Sequence, residues 1–136
     1  MSRTFESLKI GDRESVTKQI TDKVIRDFAE VSEDRNPLHL DEEFAKTTQF
    51  GQRIAHGMIS AGLLSAVHTR YPGDGTVYIS QTLKFKKPVL VNDTLTAYSE
   101  LVEKIEGKYR IITKDWVENQ NGEVVVEGEA QLMFKK

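Results

Sequence analysis

The segment HGMISAGLLSAV, residues 56–67, decides the fold that this chain is predicted to adopt. Its aliphatic residues leave hardly any polar face before His68, a pattern typical of a helix that is buried nearly all round. Each large aliphatic side chain that is fully buried there contributes roughly 1.5–3 kcal/mol to stability. The segment is therefore predicted to be a central helix that anchors the core.

After this helix the sequence pattern changes from helical to alternating. The turn-forming residues 71–75 (YPGDG) end the helix, and Pro88 marks an edge or a bend further along. Alternating apolar and polar residues then predict strands at residues 76–84, 94–104, 108–118 and 123–134. The last two strands form a hairpin, because the connection at 119–122 ends in the Asn-Gly pair that favours positive φ.

Before the central helix, the chain is predicted to form a strand at 14–20 and then a helix at 22–32 capped by Thr21. One face of this helix is expected to lie on the body of the protein. That face comprises Val24, Ile25, Phe28, Ala29 and Val31.

A polar connection follows, in which Pro37 predicts a loop at 33–38. Asp41 is the predicted N-cap of a second, short helix that carries Phe44 and Ala45. Residues 47–55 show no regular pattern and are predicted to be irregular.

Together these elements predict an α+β fold, in which an antiparallel sheet of about five strands wraps round the long apolar helix. The short helices form an insertion before it. Tyr78, Tyr98 and Trp116, together with the sheet edges, leave apolar surface without a partner. Association through the sheet into a homodimer or a higher homo-oligomer is therefore expected.

Composition restricts the classes to which the chain can belong. Its 136 residues suit one domain, 1–136, and its net charge of -2 creates no field that would attract nucleic acid. The absence of cysteine excludes disulfides, thiolate metal ligands and a catalytic thiol. No apolar leader or membrane-length apolar run is present, so a cytoplasmic protein without a membrane partner is expected.

Asp34 and His39 are the first candidate catalytic residues. They are five residues apart on a turn made rigid by Pro37, so that their side chains can converge on one point. A carboxylate and an imidazole held together can act as general base and general acid near neutral pH. A structural explanation fits the spacing about equally well: Asp34 would cap a turn, and His39 would fill a gap in the packing.

His56-Gly57 at the start of the central helix is the second candidate feature. Backbone N–H groups there lack intrahelical acceptors, and glycine lets a ligand approach them, so they could hold an oxyanion. A simpler explanation is that Gly57 only permits close packing. Ser65, within the apolar helix, either bonds back to a carbonyl or points into a site with Asp34.

Other chemistries fit the sequence less well. Asp34, His39, Asp41 and His56 offer oxygen and nitrogen ligands, but none has the HxH or HExxH spacing of a metal site, so no metal is predicted. Ser60 and Ser65 lie within the helix and lack the glycine-flanked turn of a hydrolase nucleophile.

Three groups of residues are similar to the hydratase signature of the R-specific enoyl-CoA hydratases and MaoC-like dehydratases. These are Ser32–His39 (SEDRNPLH), Phe44-Ala45 and Ile54–Met58 (IAHGM). The resemblance implies a hot-dog fold, dimers, and a helical overhang that carries the catalytic groups. By resemblance, Asp34 and His39 are the catalytic pair and the Gly57 amide is the oxyanion donor. Asn36 supports the loop, and Ser65 lines the site.

The resemblance implies reversible hydration of a trans-2-enoyl-CoA to an (R)-3-hydroxyacyl-CoA in fatty-acid metabolism, with no metal or redox cofactor. Asp34 would accept a proton from water and His39 would donate one to the α-carbon. Four basic residues are candidates for binding the CoA phosphates: Arg35, Lys84, Lys86 and Lys87. A hot-dog acyl-CoA thioesterase and a non-catalytic acyl-thioester-binding module are the alternatives.

One residue departs from the family pattern. Glu33 occupies the position before the catalytic Asp34, where the family usually has glycine. A non-glycine residue there implies a backbone that does not need positive φ.

Overall fold

A computed structural model describes residues 3–134 of the chain. Its strands are β1 Arg13–Gln19, β2 Val77–Phe85, β3 Thr94–Ile105, β4 Arg110–Glu118 and β5 Val124–Met133. Its helices are α1 Asp22–Ser32, α2 Pro37–Leu40, α3 Glu42–Lys46 and α4 Gly57–Arg70, and a 3-10 turn covers Phe5–Ser7. The strands and α1 confirm the sequence predictions, with ends that differ by no more than two residues.

The five strands form one antiparallel sheet in the order β1-β3-β4-β5-β2. β3, β4 and β5 are consecutive neighbours, and the turn between β4 and β5 has Gly122 at φ 75°, as the Asn-Gly pair predicts. β1 and β2 lie at opposite edges of the sheet. The α+β hot-dog architecture expected from the sequence is therefore confirmed.

The core lies between the sheet and α4. Residues 95, 97, 99 and 101 of β3 are all buried, which confirms that alternate residues of this strand face inward. Leu95 and Ala97 form one core cluster with buried residues of α4, which are Ile59, Leu63, Leu64 and Val67. The apolar segment 56–67, which the sequence predicts to be the central helix, thus forms the helix that covers the sheet.

The prediction that α4 is buried nearly all round is wrong for the single chain. Residues 58, 62, 65, 66 and 69 of this helix are exposed, and Met58 keeps 55% of its surface accessible. The sheet covers only one side of the helix, and the small residues Gly62 and Ala66 stand on the other. An apolar helix can therefore have an uncovered face that its composition does not reveal.

The predicted apolar face of α1 lies on the body of the protein, with one exception. Ile25 and Ala29 are buried, but Val31 is 83% exposed. At about 100° per residue, Val31 lies roughly 240° round the helix from Ile25 and points away from the sheet.

The predicted loop at 33–38 is shorter than expected. It ends at Asn36, because Pro37 takes the first position of α2, where its missing N–H is no loss. Asp41 caps α3 as predicted, and its Oδ1 accepts hydrogen bonds from the amides of Glu43 and Phe44. Within residues 3–134, no helix is long and apolar enough to cross a membrane.

Candidate active site

The loop between α1 and α2 is held by a series of hydrogen bonds between residues close in sequence. Ser32 Oγ accepts from the Asp34 amide at 3.1 Å, and Asp34 Oδ1 accepts from the Asn36 amide at 3.3 Å. Asn36 Oδ1 in turn accepts from the Leu38 amide at 3.0 Å and caps α2. These bonds place the exposed Asp34 at a fixed point of the loop and agree with a supporting role for Asn36.

Glu33 corrects the expectation about the loop backbone. It is the C-cap of α1 and lies in the left-handed region, with φ 68° and ψ 9°. A left-handed residue just after the last helical turn is a common way for a helix to end. The chain therefore holds a glutamate in a conformation that favours glycine.

His39 is buried on α2 and its ring orientation is fixed. Its Nδ1 lies 2.7 Å from the carbonyl oxygen of Ile54, and its own carbonyl accepts from Arg53 Nε at 2.8 Å. A carbonyl can only accept a hydrogen bond, so Nδ1 carries the proton. In the neutral ring, Nε2 is then an acceptor.

Burial is the main cause that lowers the pKa of His39 below its ordinary value. The charges of His56 and Arg53 lower this pKa further, whereas the hydrogen bond to Ile54 and the charge of Asp34 raise it. The net lowering favours the neutral ring at physiological pH. His39 is thereby suited to accept a proton at Nε2.

His56 connects the loop to the central helix. It is the N-cap of α4, is 2% exposed, and its Nε2 donates to the backbone carbonyl of Asp34 at 2.9 Å. Its ring contacts those of His39 and Phe28, with centroids 4.0 and 4.9 Å apart. The sequence marks His56 as part of the signature, but its contact with the Asp34 backbone joins positions that only the fold brings together.

A ring nitrogen of His39, a ring nitrogen of His56 and a carboxylate oxygen of Asp34 lie within 4.8 Å of one another. Joint ligation of a metal would require the lone pairs of both imidazoles, which lie in the ring planes, to converge on one point. One nitrogen of each ring is already bonded to a backbone carbonyl, that of Ile54 or of Asp34, and the rings face each other with planes tilted by 34°. The donor set therefore fits hydrogen bonding to water better than metal binding.

Gly57 begins α4, where the first backbone N–H groups have no intrahelical acceptor. A Cβ atom at this position would lie 2.7 Å from two ring atoms of Phe85. Glycine is therefore required for the close approach of that ring, as the packing explanation proposed. The same lack of a side chain leaves the amide open to a ligand.

Gly57 and His39 line the same pocket, which has a volume of about 510 Å³. Its other walls are largely apolar and include Phe50, Met58, Phe85 and Val126. Ser60 of α4, which is buried, also lines it. The sequence pattern does not place Ser60 at the site, because its position depends on how α4 is rotated over the sheet.

Of the four basic candidates, Lys86 and Lys87 line this pocket, where they form ion pairs with Glu127 and Glu123. Arg35 is instead paired with Glu30 and Glu33 on the outer side of the loop. Lys84 lines a separate depression beside Lys114. Ser65 is on the exposed side of α4 and does not line the pocket that contains His39 and Gly57.

Comparison with known proteins finds a match to the family model described as "MaoC like domain" over residues 9–122. The chain is 45% identical over 130 residues to a protein of Rhodospirillum rubrum named "(R)-specific enoyl-CoA hydratase". The match covers 95% of this chain and 90% of that protein.

A second relative, the "3-hydroxybutyryl-CoA dehydratase" of Methylorubrum extorquens, is 45% identical over 97% of this chain and 84% of its own length. Among solved structures, the unliganded R-hydratase PhaJ1 from Pseudomonas aeruginosa is 44% identical and superposes with a TM-score of 0.91. That superposition covers 97% of this chain and 85% of the other.

Proposed function

Because the chain belongs to the MaoC-like dehydratase family, we propose that it is an (R)-specific enoyl-CoA hydratase. The family resemblance seen in residues 32–39 and 54–58 is confirmed by the match. The proposed reaction is the reversible addition of water to a trans-2-enoyl-CoA, giving an (R)-3-hydroxyacyl-CoA in fatty-acid metabolism. The observation that supports this proposal is that a carboxylate oxygen of Asp34 lies within 4.8 Å of a ring nitrogen of His39, and that His39 lines the same pocket as Gly57.

Asp34 and His39 are proposed to hold the attacking water between them. Two acceptors less than 4.8 Å apart can share one water, because each hydrogen bond spans about 2.8 Å. The Asp34 carboxylate orients the water by accepting a hydrogen bond from it. Nε2 of the neutral His39 takes the second proton of the water as the water oxygen bonds to the β-carbon.

The proton for the α-carbon is then proposed to come from His39. The neutral ring has no Nε2 proton before water is deprotonated, so the proton passes from water to Nε2 and then to the α-carbon. The sequence assigned proton acceptance to Asp34, and the Ile54 hydrogen bond favours His39 for this step instead. In dehydration the same nitrogen takes the α-proton and returns it to the departing hydroxyl.

Negative charge builds on the thioester oxygen as water adds. We assign its stabilisation to the Gly57 amide at the start of α4, where the helix dipole adds positive potential. Loss of one such donor typically lowers the rate by about 10²–10³-fold. The Lys86 and Lys87 ammonium groups at the pocket are the proposed partners of the CoA phosphates.

A homodimer is proposed to complete the pocket. β2 is an edge strand, and several of its apolar residues are exposed beside the uncovered face of α4. These residues are Val77, Tyr78, Ile79 and Phe85. Pairing of two β2 edges would bury them, and light scattering should report twice the chain mass, whereas Ile79→Lys should shift the protein towards the monomer. A monomeric wild type at micromolar concentration would refute this arrangement.

Loss of the enoyl absorbance of crotonyl-CoA after addition of the protein tests the proposed reaction. Asp34→Asn and His39→Gln should each lower kcat strongly, while Asp27→Asn on the outer face of α1 should not. Release of free thiol, followed with a thiol reagent, would indicate the thioesterase alternative. Binding of crotonyl-CoA without turnover would indicate a binding module. The cytoplasmic location and the single-domain extent 1–136 stay predictions.

A further inference from the structure

We propose that His56 is a positioning residue for the proposed reaction, which holds the backbone of Asp34 and the ring of His39 in one geometry. The inference rests on the proposed function, because it assigns a role towards the pair that moves the proton. His56 itself is not proposed to touch the substrate.

The first observation is the hydrogen bond from His56 Nε2 to the Asp34 carbonyl, which joins residues 22 positions apart. The other bonds that hold Asp34 come from Ser32 and Asn36 and are local. Local bonds fix the shape of the loop but not its position relative to α4. The His56 bond is therefore the described contact that ties the Asp34 backbone to the helix on which Gly57 lies.

The second observation is the ring contact with His39. The two imidazoles are in contact, with centroids 4.0 Å apart and planes tilted by 34°. Among the described residues, the His39 ring also has one hydrogen bond, to Ile54, which still allows the ring to tilt about the bond direction. We assign to the contact with His56 the role of restricting this tilt, so that Nε2 of His39 stays directed towards the same water as Asp34.

The third observation concerns the other ring nitrogen of His56. Nδ1 is buried and has no hydrogen-bond partner among residues 3–134. An apolar residue would fill this place without leaving a polar atom unpaired, so packing alone does not explain a histidine here. The Nε2 hydrogen bond to Asp34 accounts for the imidazole.

Three variants separate the two contacts. His56→Phe keeps a ring against His39 but cannot donate to Asp34, His56→Gln keeps a donor at about the Nε2 position but has no ring, and His56→Ala removes both. We expect kcat to fall about 10²-fold in His56→Ala, the size of effect that a displacement of about 1 Å can produce. The other two variants should retain intermediate kcat values. KM for crotonyl-CoA should change less than threefold in all of them, because the pocket walls remain.

Leu101→Ala serves as the stability control, because Leu101 is buried in β3 within the part of the core that contains Phe5 and Tyr71. It should lower the unfolding midpoint without lowering kcat of the folded protein. A kcat within twofold of wild type in folded His56→Ala, or equal falls in all three variants and the control, would overturn the inference.

If His56→Ala and His56→Phe do not fold, the wild type still provides a test through the nitrogen NMR shifts of its imidazoles. The inference requires the Nε2–H tautomer for His56, and an Nδ1–H tautomer would overturn it. Failure of the proposed function is distinguishable, since wild type would then not hydrate crotonyl-CoA at all.

Discussion

Arg53 donates a hydrogen bond from Nε to the backbone carbonyl oxygen of His39 at 2.8 Å. The same guanidinium contacts Asp22 Oδ1 at 2.5 Å, so it connects α1 to the residue proposed as the base. Its side chain is only 11% exposed. Arg53 thereby connects the backbone of α2 to the start of α1.

Arg53→Met is expected to lower both stability and activity. Loss of a partly buried, charged hydrogen-bond donor typically costs about 1.5–3 kcal/mol, which urea unfolding would measure. Activity should fall because the His39 carbonyl loses its hydrogen bond to Arg53. Arg26→Met is the matched control, since Arg26 also pairs with Asp22 and reaches the Leu40 carbonyl of α2 at 3.4 Å, but does not bond to His39. If both variants lose kcat equally, the contact with His39 does not matter.

The pH dependence of kcat/KM should show an acid limb with its midpoint below about 6.5, the ordinary value for histidine. Burial lowers the pKa of His39, so the ring stays neutral and able to accept a proton to lower pH. The same lowering of the His39 pKa determines how the free energy of unfolding depends on pH. The unfolded chain binds the proton first, so stability falls as pH drops below about 6.5 and levels off below the folded pKa.

His39→Gln should remove this titration, and the wild-type minus variant difference in unfolding free energy should then depend on pH in the same interval. A limb with its midpoint above 6.5 would contradict the burial argument.

Glu33→Gly should stabilise the protein. A left-handed residue other than glycine costs roughly 1–2 kcal/mol, part of which the greater freedom of glycine in the unfolded chain offsets. Thermal unfolding should show a higher midpoint. Glu33→Ala removes the same side chain and its ion pair with Arg35 but keeps the strain, so it should not stabilise. A gain in both variants would assign the effect to charge instead.

Asp115→Leu should be among the most damaging single changes. Asp115 is fully buried on β4 and accepts hydrogen bonds from Thr113 Oγ1 at 2.9 Å and from Gln81 Nε2 at 3.0 Å. His68 Nε2 lies 3.3 Å from the same carboxylate. The change leaves the buried Thr113 hydroxyl without its acceptor, and an unsatisfied buried donor costs about 1–3 kcal/mol, which chemical denaturation would measure.

Asp27→Leu on the exposed surface of α1 is the comparison for Asp115→Leu. Its ion pair with Lys23 is open to water, so its loss should cost less than about 1 kcal/mol. Similar losses in the two variants would mean that the hydrogen bonds around Asp115 add little.

The elements of this fold could be predicted because each rests on local signals. Alternation predicts the strands, Thr21 and Asp41 predict helix starts, and the Asn-Gly pair predicts the last turn. The exposed face of α4 could not be predicted, because composition shows how apolar a helix is but not which side the sheet covers. Val31 shows that an apolar residue near a helical stripe need not belong to it.

The site was predictable where its residues are close in sequence. Asp34, His39 and Gly57 fall in one signature; in the structure Asp34 lies beside His39, and His39 and Gly57 line one pocket, which Asp34 does not line. Arg53 and the Ile54 carbonyl lie in a segment without a pattern, and their contacts with α1 and α2 arise only in the folded chain. The positive φ of Glu33 could not be predicted, because a glutamate argues against the left-handed backbone that it adopts here.

The sheet order has a consequence for how the protein folds. β3, β4 and β5 follow one another along the chain, whereas β1 pairs with β3 across 87 residues, as between Arg13 and Glu100. Long-range pairing is slow, since the chain loses loop entropy before the contacts form. We expect the three-stranded meander to nucleate first and β1 to join late, so that during refolding the amides of β3, β4 and β5 become protected before catalytic activity returns.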